Sequence, residues 1–235
     1  MKIVKGFSEK QDGNMRIYRG AVHVDSNKNE VNKKNREIFL QKNHLDDSNL
    51  ALAGLVHSNN IVAVSNKDKG KVISECDGFI TDTPGIILGV TAADCLSVYF
   101  WNKSKTLIGI AHAGWRGVQK EIVIEMVNLF VNKYSCLIRD IEVEIGPHIK
   151  DCHFEVQEDV IKNFIAYSDY LKIVGNKKYL SLGGIIGKQL ISAGIRKENI
   201  QESSDCTFCE KDKYFSYRRD KPEDVQAMLA YIILV

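Results

Sequence analysis

Ile108-Gly109-Ile110-Ala111-His112-Ala113-Gly114-Trp115-Arg116-Gly117 reads as a buried strand that delivers a histidine, then a glycine-bounded turn, then the start of a helix. Such a junction exposes backbone N–H groups at the helix N-terminus, where an anion can be held. Arg116 adds a planar, always-charged donor fork at the same spot. Just upstream, Thr91-Ala92-Ala93-Asp94-Cys95 closes a second strand and supplies a carboxylate and a thiol. Together the two segments predict a Cys/His site beside an anion pocket.

Working outward, Ile86–Thr91 is a continuous apolar run that suits a strand buried on both faces, with Leu96–Trp101 as its hairpin or sheet neighbour. Leu50–Val56 is apolar and ends in His57-Ser58-Asn59-Asn60. Ile61–Ser65, Asp77–Thr81 and Ile141–Ile145 are further strands, and residues 1–24 read as short strands around a turn at Asp12-Gly13-Asn14. Ser26–Asn43 reads as a polar helix. Helical spacing marks Gly117–Tyr134, Val156–Leu171 and Leu182–Ala193, the last closed by Gly194 at a C-cap. Tyr214–Tyr217 and Met228–Val235 read as closing strands, with a helix over Pro222–Tyr231 as the alternative to the second. Strands and helices mix without a regular βαβ alternation. That predicts an α+β fold of layered mixed sheets with surrounding helices.

The chain has 235 residues, 44% hydrophobic and 26% charged, enough for one sizeable core. With three prolines and no Ser/Gly-rich linker, residues 1–235 are expected to form a single domain. A net charge of +2 gives no signal for nucleic acid, and the lysine-rich runs read as solvated faces. No apolar stretch approaches a membrane span, and Met1–Lys10 lacks an apolar leader core, so a cytoplasmic location is expected. In a reducing compartment the six cysteines are ligands, nucleophiles or core residues rather than disulfides.

Taken singly, His57 reads as a surface or hydrogen-bonded histidine and Cys95 as a buried inert thiol. Together with His112 they make a good zinc triad, because borderline-soft zinc accepts imidazole and thiolate and three protein ligands leave a position for water. Their wide spacing does not establish a metal, and Cys95 with His112 can equally be a nucleophile and its base. Cys206-Thr207-Phe208-Cys209 offers two thiolates that can chelate zinc, form a redox pair or serve the structure. Cys152 and His153, if extended, point to opposite faces, with Glu155 sharing the face of His153. Arg218 and Arg219 offer phosphate or carboxylate recognition, or a surface salt-bridge network.

At these residues the chain resembles the multicopper polyphenol oxidase (laccase-domain) family. The matching motifs are His57 after an apolar strand, Asp77-Gly78 with Thr81-Asp82-Thr83-Pro84-Gly85, Thr91–Cys95, Ala111–Gly117, and Ile145-Gly146-Pro147 with Cys152-His153-Phe154-Glu155-Val156. Asp205–Cys209 and Phe215–Asp220 complete the ordered set. Members are described as purine nucleoside phosphorylases with adenosine deaminase activity, and some as peptidoglycan editing factors. The resemblance implies a fold related to the cysteine-hydrolase domain of cytotoxic necrotizing factors, and a catalytic zinc on His57, Cys95 and His112. The chain departs from the family at Ser58 and Gln157, where glycines are usual.

A zinc-dependent purine nucleoside enzyme is therefore expected, acting on a purine nucleoside and phosphate. Asp94, Asp77 or Glu155 would move protons in a deamination, while Arg116, next to Trp115, or Arg218 would hold phosphate in a phosphorolysis. The alternatives are a Cys95/His112 amide hydrolase acting on peptidoglycan precursors, a copper-dependent polyphenol oxidase, and a non-catalytic metal-binding protein. Copper chemistry fits poorly with six histidines and no His-x-His pair.

Overall fold

The computed structural model describes residues 1–17 and 26–235. In chain order its strands are β1 (Ile3–Phe7), β2 (Leu50–Gly54), β3 (Ile61–Ala63), β4 (Val72–Ser74), β5 (Gly78–Thr81), β6 (Ile87–Ala92) and β7 (Leu96–Asn102). They continue with β8 (Ile108–Ala113), β9 (Ile141–Ile145), β10 (Leu171–Val174), β11 (Lys177–Leu180), β12 (Ile200–Glu202) and β13 (Met228–Leu234). The α-helices are α1 (Ser26–Lys42), α2 (Trp115–Gln119), α3 (Ile122–Asn128), α4 (Glu158–Ile161), α5 (Leu182–Ser192) and α6 (Tyr217–Asp220).

Two mixed sheets dominate, one five-stranded in the order β1-β13-β6-β2-β4 and one six-stranded in the order β12-β9-β7-β8-β5-β3. Side-chain alternation explains how they stack. Along β13, Ala230, Ile232 and Leu234 join Leu88 and Val90 of β6 and Ile108 and Ile110 of β8 in a core between the sheets. The opposite face of β13, through Leu229, Tyr231 and Ile233, packs on Phe39 and Leu40 of α1. The six-stranded sheet turns Val98, Phe100 and Ala111 outward onto Val123 and Met126 of α3 and Leu190 of α5. The result is four layers, helix on sheet on sheet on helix. The expected α+β architecture is borne out, and the sheets' double burial accounts for the continuous apolar runs of β6 and β13.

Several expectations are corrected. Leu96–Trp101 is not a partner of Ile86–Thr91: β6 pairs β13 and β2, whereas β7 pairs β8 and β9 in the other sheet. Both lateral positions beside β6 are filled, so the chain turns a corner at Ala93–Cys95 and changes sheet. The helix expected over Gly117–Tyr134 is broken at Glu121, which adopts φ 57°, and ends in a π-helical turn. Val156–Leu171 is not one amphipathic helix. Only α4 and a 3-10 segment (Ile165–Tyr170) form, because the Asn163 amide donates to the Asp159 and Val160 carbonyls and Leu171 enters the β10–β11 hairpin.

Tyr214–Tyr217 is not a strand, since Ser216 caps α6 by accepting from the Arg219 N–H. The helical alternative for Pro222–Tyr231 gives way to β13, whose period-two alternation serves two cores at once. Gly194 ends the α5 region with φ +98°, as its C-cap reading requires. Of the strands expected over residues 1–24, β1 forms and residues 18–25 lie outside the described residues. Among the described residues no helix is long and apolar enough to cross a membrane.

Candidate functional site

Three chain segments bring ligand-type side chains to one end of the seam between the sheets. His57 follows β2 of the five-stranded sheet, Cys95 sits on the corner between β6 and β7, and His112 is the penultimate residue of β8. By strand alternation His112 shares the face of Ile108 and Ile110, the face that looks into the seam. The ligand atoms of the three residues all lie within 4.8 Å of one another. The imidazoles of His57 and His112 meet edge to face with centroids 5.0 Å apart.

Asp77, fully buried just before β5, organises this cluster from beneath. Its Oδ1 accepts from His112 Nδ1 and from the His57 N–H, each at 3.0 Å. Its Oδ2 accepts from the Ser58 N–H at 2.7 Å, the Ser58 hydroxyl at 2.8 Å and the Val56 N–H at 3.3 Å. Ser58, at a position where the resembling family usually carries glycine, thus adds a hydroxyl to the carboxylate's shell. With Nδ1 engaged, His112 presents Nε2 to the cluster, the arrangement that orients a metal-binding imidazole.

The electrostatics follow from this packing. Burial works against the Asp77 charge, but the His112 and Ser58 donors outweigh it and hold the carboxyl at about 2. Burial alone would raise the Cys95 thiol, yet the charge and hydrogen bond of His112, then those of His57, bring it to about 6. Against the opposing effect of burial, Cys95 and Asp77 lift His112 to about 9. At neutral pH the metal-free site therefore holds a thiolate beside an imidazolium, and a cation bound there displaces the His112 Nε2 proton.

Gly114 leaves open the space between His57 and Cys95. A Cβ there would lie 3.0 Å from His57 Cδ2 and 3.1 Å from Cys95 Sγ, inside the space bounded by the ligands. The donor set of two imidazoles and one thiolate fits zinc with an open fourth position.

The cluster opens into a cavity of about 480 Å³. Its walls include Leu55, Thr91, Tyr217, Val225 and Ala227, with Arg16 as the one arginine or lysine among the described lining residues. Leu55, Val225 and Ala227 come from distant parts of the chain and carry no local motif, so sequence reading missed them, whereas Thr91 lay inside the Thr91–Cys95 motif. Tyr217 lay inside a motif but was read as a strand residue.

The remaining sequence candidates sit around this centre rather than in the cavity wall. Asp94 occupies the corner with φ 89° and accepts from the Thr207 hydroxyl at 2.6 Å, the Ser216 hydroxyl at 3.0 Å and the Arg218 N–H at 2.7 Å. Those bonds hold an uncommon backbone conformation next to Cys95. The Arg218 guanidinium donates to the Glu155 carbonyl at 2.6 Å and lies over the Phe154 ring. The Glu155 carboxylate pairs with Lys177 at 3.1 Å. Arg116 is exposed and stacks on Trp115 at 4.2 Å, and α2 runs for only five residues. Cys152 and His153 are not on an extended segment, since a turn brings both side chains towards Cys206 and Cys209.

Fold and site together define a two-sheet protein with a Cys/His centre at the end of the seam. The sequence profile described as "Multi-copper polyphenol oxidoreductase laccase" matches residues 5–234, and the chain belongs to this family. Among curated relatives, "Purine nucleoside phosphorylase" of Haemophilus influenzae is 33% identical over 205 residues, covering 84% of this chain and 80% of the relative. "Purine nucleoside phosphorylase YlmD" of Geobacillus stearothermophilus is 33% identical over 190 residues, covering 75% of this chain and 69% of the relative. The crystal structure of YlmD from Geobacillus stearothermophilus superposes with a TM-score of 0.89 at 29% identity, covering 99% of this chain and 92% of that one.

Proposed function

We propose that the chain is a zinc-dependent purine nucleoside phosphorylase with a secondary adenosine deaminase activity, its zinc held by His57, Cys95 and His112. The observation that carries this reading is the placement of that triad at the base of the 480 Å³ cavity. The cavity is of the size that encloses a small ligand. The relatives named as purine nucleoside phosphorylases support the substrate class.

Bound zinc supplies a Lewis acid and lowers the pKa of water at the open position to near ~7. The chain's own residues orient and enclose. Asp77 fixes the His112 ring, and the apolar wall of Leu55, Val225 and Ala227 with the Tyr217 ring accommodates a planar base. Arg16 provides cationic charge for phosphate on the cavity wall. In phosphorolysis a hydrogen-phosphate oxygen forms a bond to C1′ while the bond from C1′ to the purine nitrogen breaks, its electron pair leaving on the base, which takes up the proton that the phosphate gives up. Asp94, Asp77 and Glu155 are engaged elsewhere as described, and no carboxylate lies among the described lining residues.

The test is chromatography of products from adenosine or inosine with phosphate, using the zinc-loaded protein and its Cys95→Ala variant. Free base with ribose 1-phosphate, and inosine from adenosine, from the parent alone is the expected result. No product from the loaded parent overturns the reading. The thiolate beside an imidazolium favours one other reading, a Cys95/His112 amide hydrolase. That reading requires turnover of an amide substrate that survives chelation.

A further inference from the structure

On another part of the surface four sulfur and nitrogen donors converge without a role in the cavity. The Cys152 Sγ lies 3.6 Å from Cys206 Sγ and 3.8 Å from Cys209 Sγ. His153 Nδ1 lies 3.2 Å from Cys152 Sγ and 3.3 Å from Cys209 Sγ. All four ligand atoms fall within 4.8 Å of one another. A tetrahedral zinc with Zn–S near ~2.3 Å and Zn–N near ~2.0 Å needs donor-to-donor edges of about 3.5–3.8 Å. The observed separations are close to those edges.

We infer that Cys152, His153, Cys206 and Cys209 form a second metal site, a four-ligand Cys3His zinc centre of the structural kind.

Several features prepare the donors. The His153 ring is stacked on Phe208 with centroids 4.0 Å apart and planes 14° from parallel, which fixes the direction of Nδ1. The Lys150 N–H points at Cys206 Sγ at 3.5 Å, the kind of outer bond that stabilises a ligating thiolate. Cys152 and Cys209 are exposed, so an ion has access from solvent. Metal binding releases thiol protons to solvent.

Four protein ligands leave no open position, which makes the centre a clamp. It joins the turn after β9 to the loop before α6. The two segments already meet through the Thr207 N–H, which donates to the His148 carbonyl at 3.1 Å. That loop carries Thr207 and leads to Ser216 and Arg218, the three donors that hold Asp94 beside Cys95. The clamp therefore steadies the corner on which Cys95 stands, acting through Asp94 rather than on substrate.

The test is metal content per chain of full-length protein isolated under reducing conditions with zinc present, with Cys152→Ser, Cys209→Ser and Cys95→Ala variants. Two equivalents in the parent and loss of one in either Cys152→Ser or Cys209→Ser are expected. Cobalt loading of the Cys95→Ala protein isolates the second centre and should give the intense sulfur-to-cobalt charge-transfer and tetrahedral ligand-field bands of a multi-thiolate site. If that variant does not fold, the parent-minus-Cys209→Ser difference spectrum gives the same reading. Metal content indifferent to Cys152 and Cys209, absence of those bands, or a disulfide among the three cysteines in zinc-replete reduced protein overturns the inference. None of these readouts depends on nucleoside turnover.

Discussion

His112 Nδ1 lies 3.0 Å from Asp77 Oδ1, and the same carboxylate gathers the N–H groups of Val56, His57 and Ser58. One buried anion thus fixes the ring of His112 and the loop that carries His57, two members of the candidate metal site. Asp77→Asn places an amide among donors that need an acceptor. Zinc affinity, read by chelator competition, is expected to fall about 10–100-fold, with a lower melting temperature. An unchanged affinity would show that His112 needs no such brace.

The acid limb of stability should report the same carboxylate. Its folded value of about 2 lies below the ordinary 3.8, so its contribution is complete above pH ~4 and is lost as pH falls towards 2. The loss amounts to about 2 kcal/mol. Denaturant melts of the metal-free parent across this range should show that step, and Asp77→Asn should lack it.

Alkylation distinguishes the cysteines. In metal-free protein, Cys95 should react with a rate that rises through pH about 6, where its thiolate forms, whereas Cys152 stays protonated until about pH 12. Peptide mass spectrometry of iodoacetamide-treated protein reads both sites. Zinc at the triad should suppress the Cys95 reaction, and a rate that rises only near pH 9 would remove the thiolate–imidazolium pair.

Gly114→Ala tests the space between the ligands. Its φ of −70° suits alanine, so the backbone is unstrained, but the new methyl crowds His57 and Cys95. Metal content should fall while the circular dichroism spectrum stays that of the parent. Full metal retention would mean that the ligands shift outward without loss.

Ser216→Ala removes one hydroxyl with two duties, capping α6 and donating to Asp94. Loss of about 1–3 kcal/mol is expected from denaturant melts. Weaker metal binding should accompany it if the Asp94 corner positions Cys95, whereas destabilisation alone would confine Ser216 to capping.

The strand–turn–helix junction at His112 and Gly114 was legible in sequence because β8 is apolar and glycine interrupts it. His57, Cys95 and His112 were legible as a group through the ordered family motifs, since their spacing alone decides nothing. The corner at Asp94 was hidden: two adjacent apolar runs look like a hairpin, and only the double burial of β6 shows why β7 must leave its sheet. Ile165 shows the opposite failure. It continues a helical pattern from Val160 and Ile161, which pack on the core, yet the helix stops at Ile161 and Ile165 is left 75% exposed. The Cys152-His153 turn was misread because extended backbone separates neighbours that a turn brings together.

The corner between β6 and β7 also gives the site a sensitivity of its own. His57 hangs from one sheet, His112 from the other, and Cys95 from the link between them, so the distance among the three measures how the sheets sit on each other. A ligand that closes the triad resists sliding along the seam. Conversely, a change in the bulk of Leu88, Val90 or Ile110, deep between the sheets and touching no substrate, should alter metal affinity as a lever alters the gap at its far end.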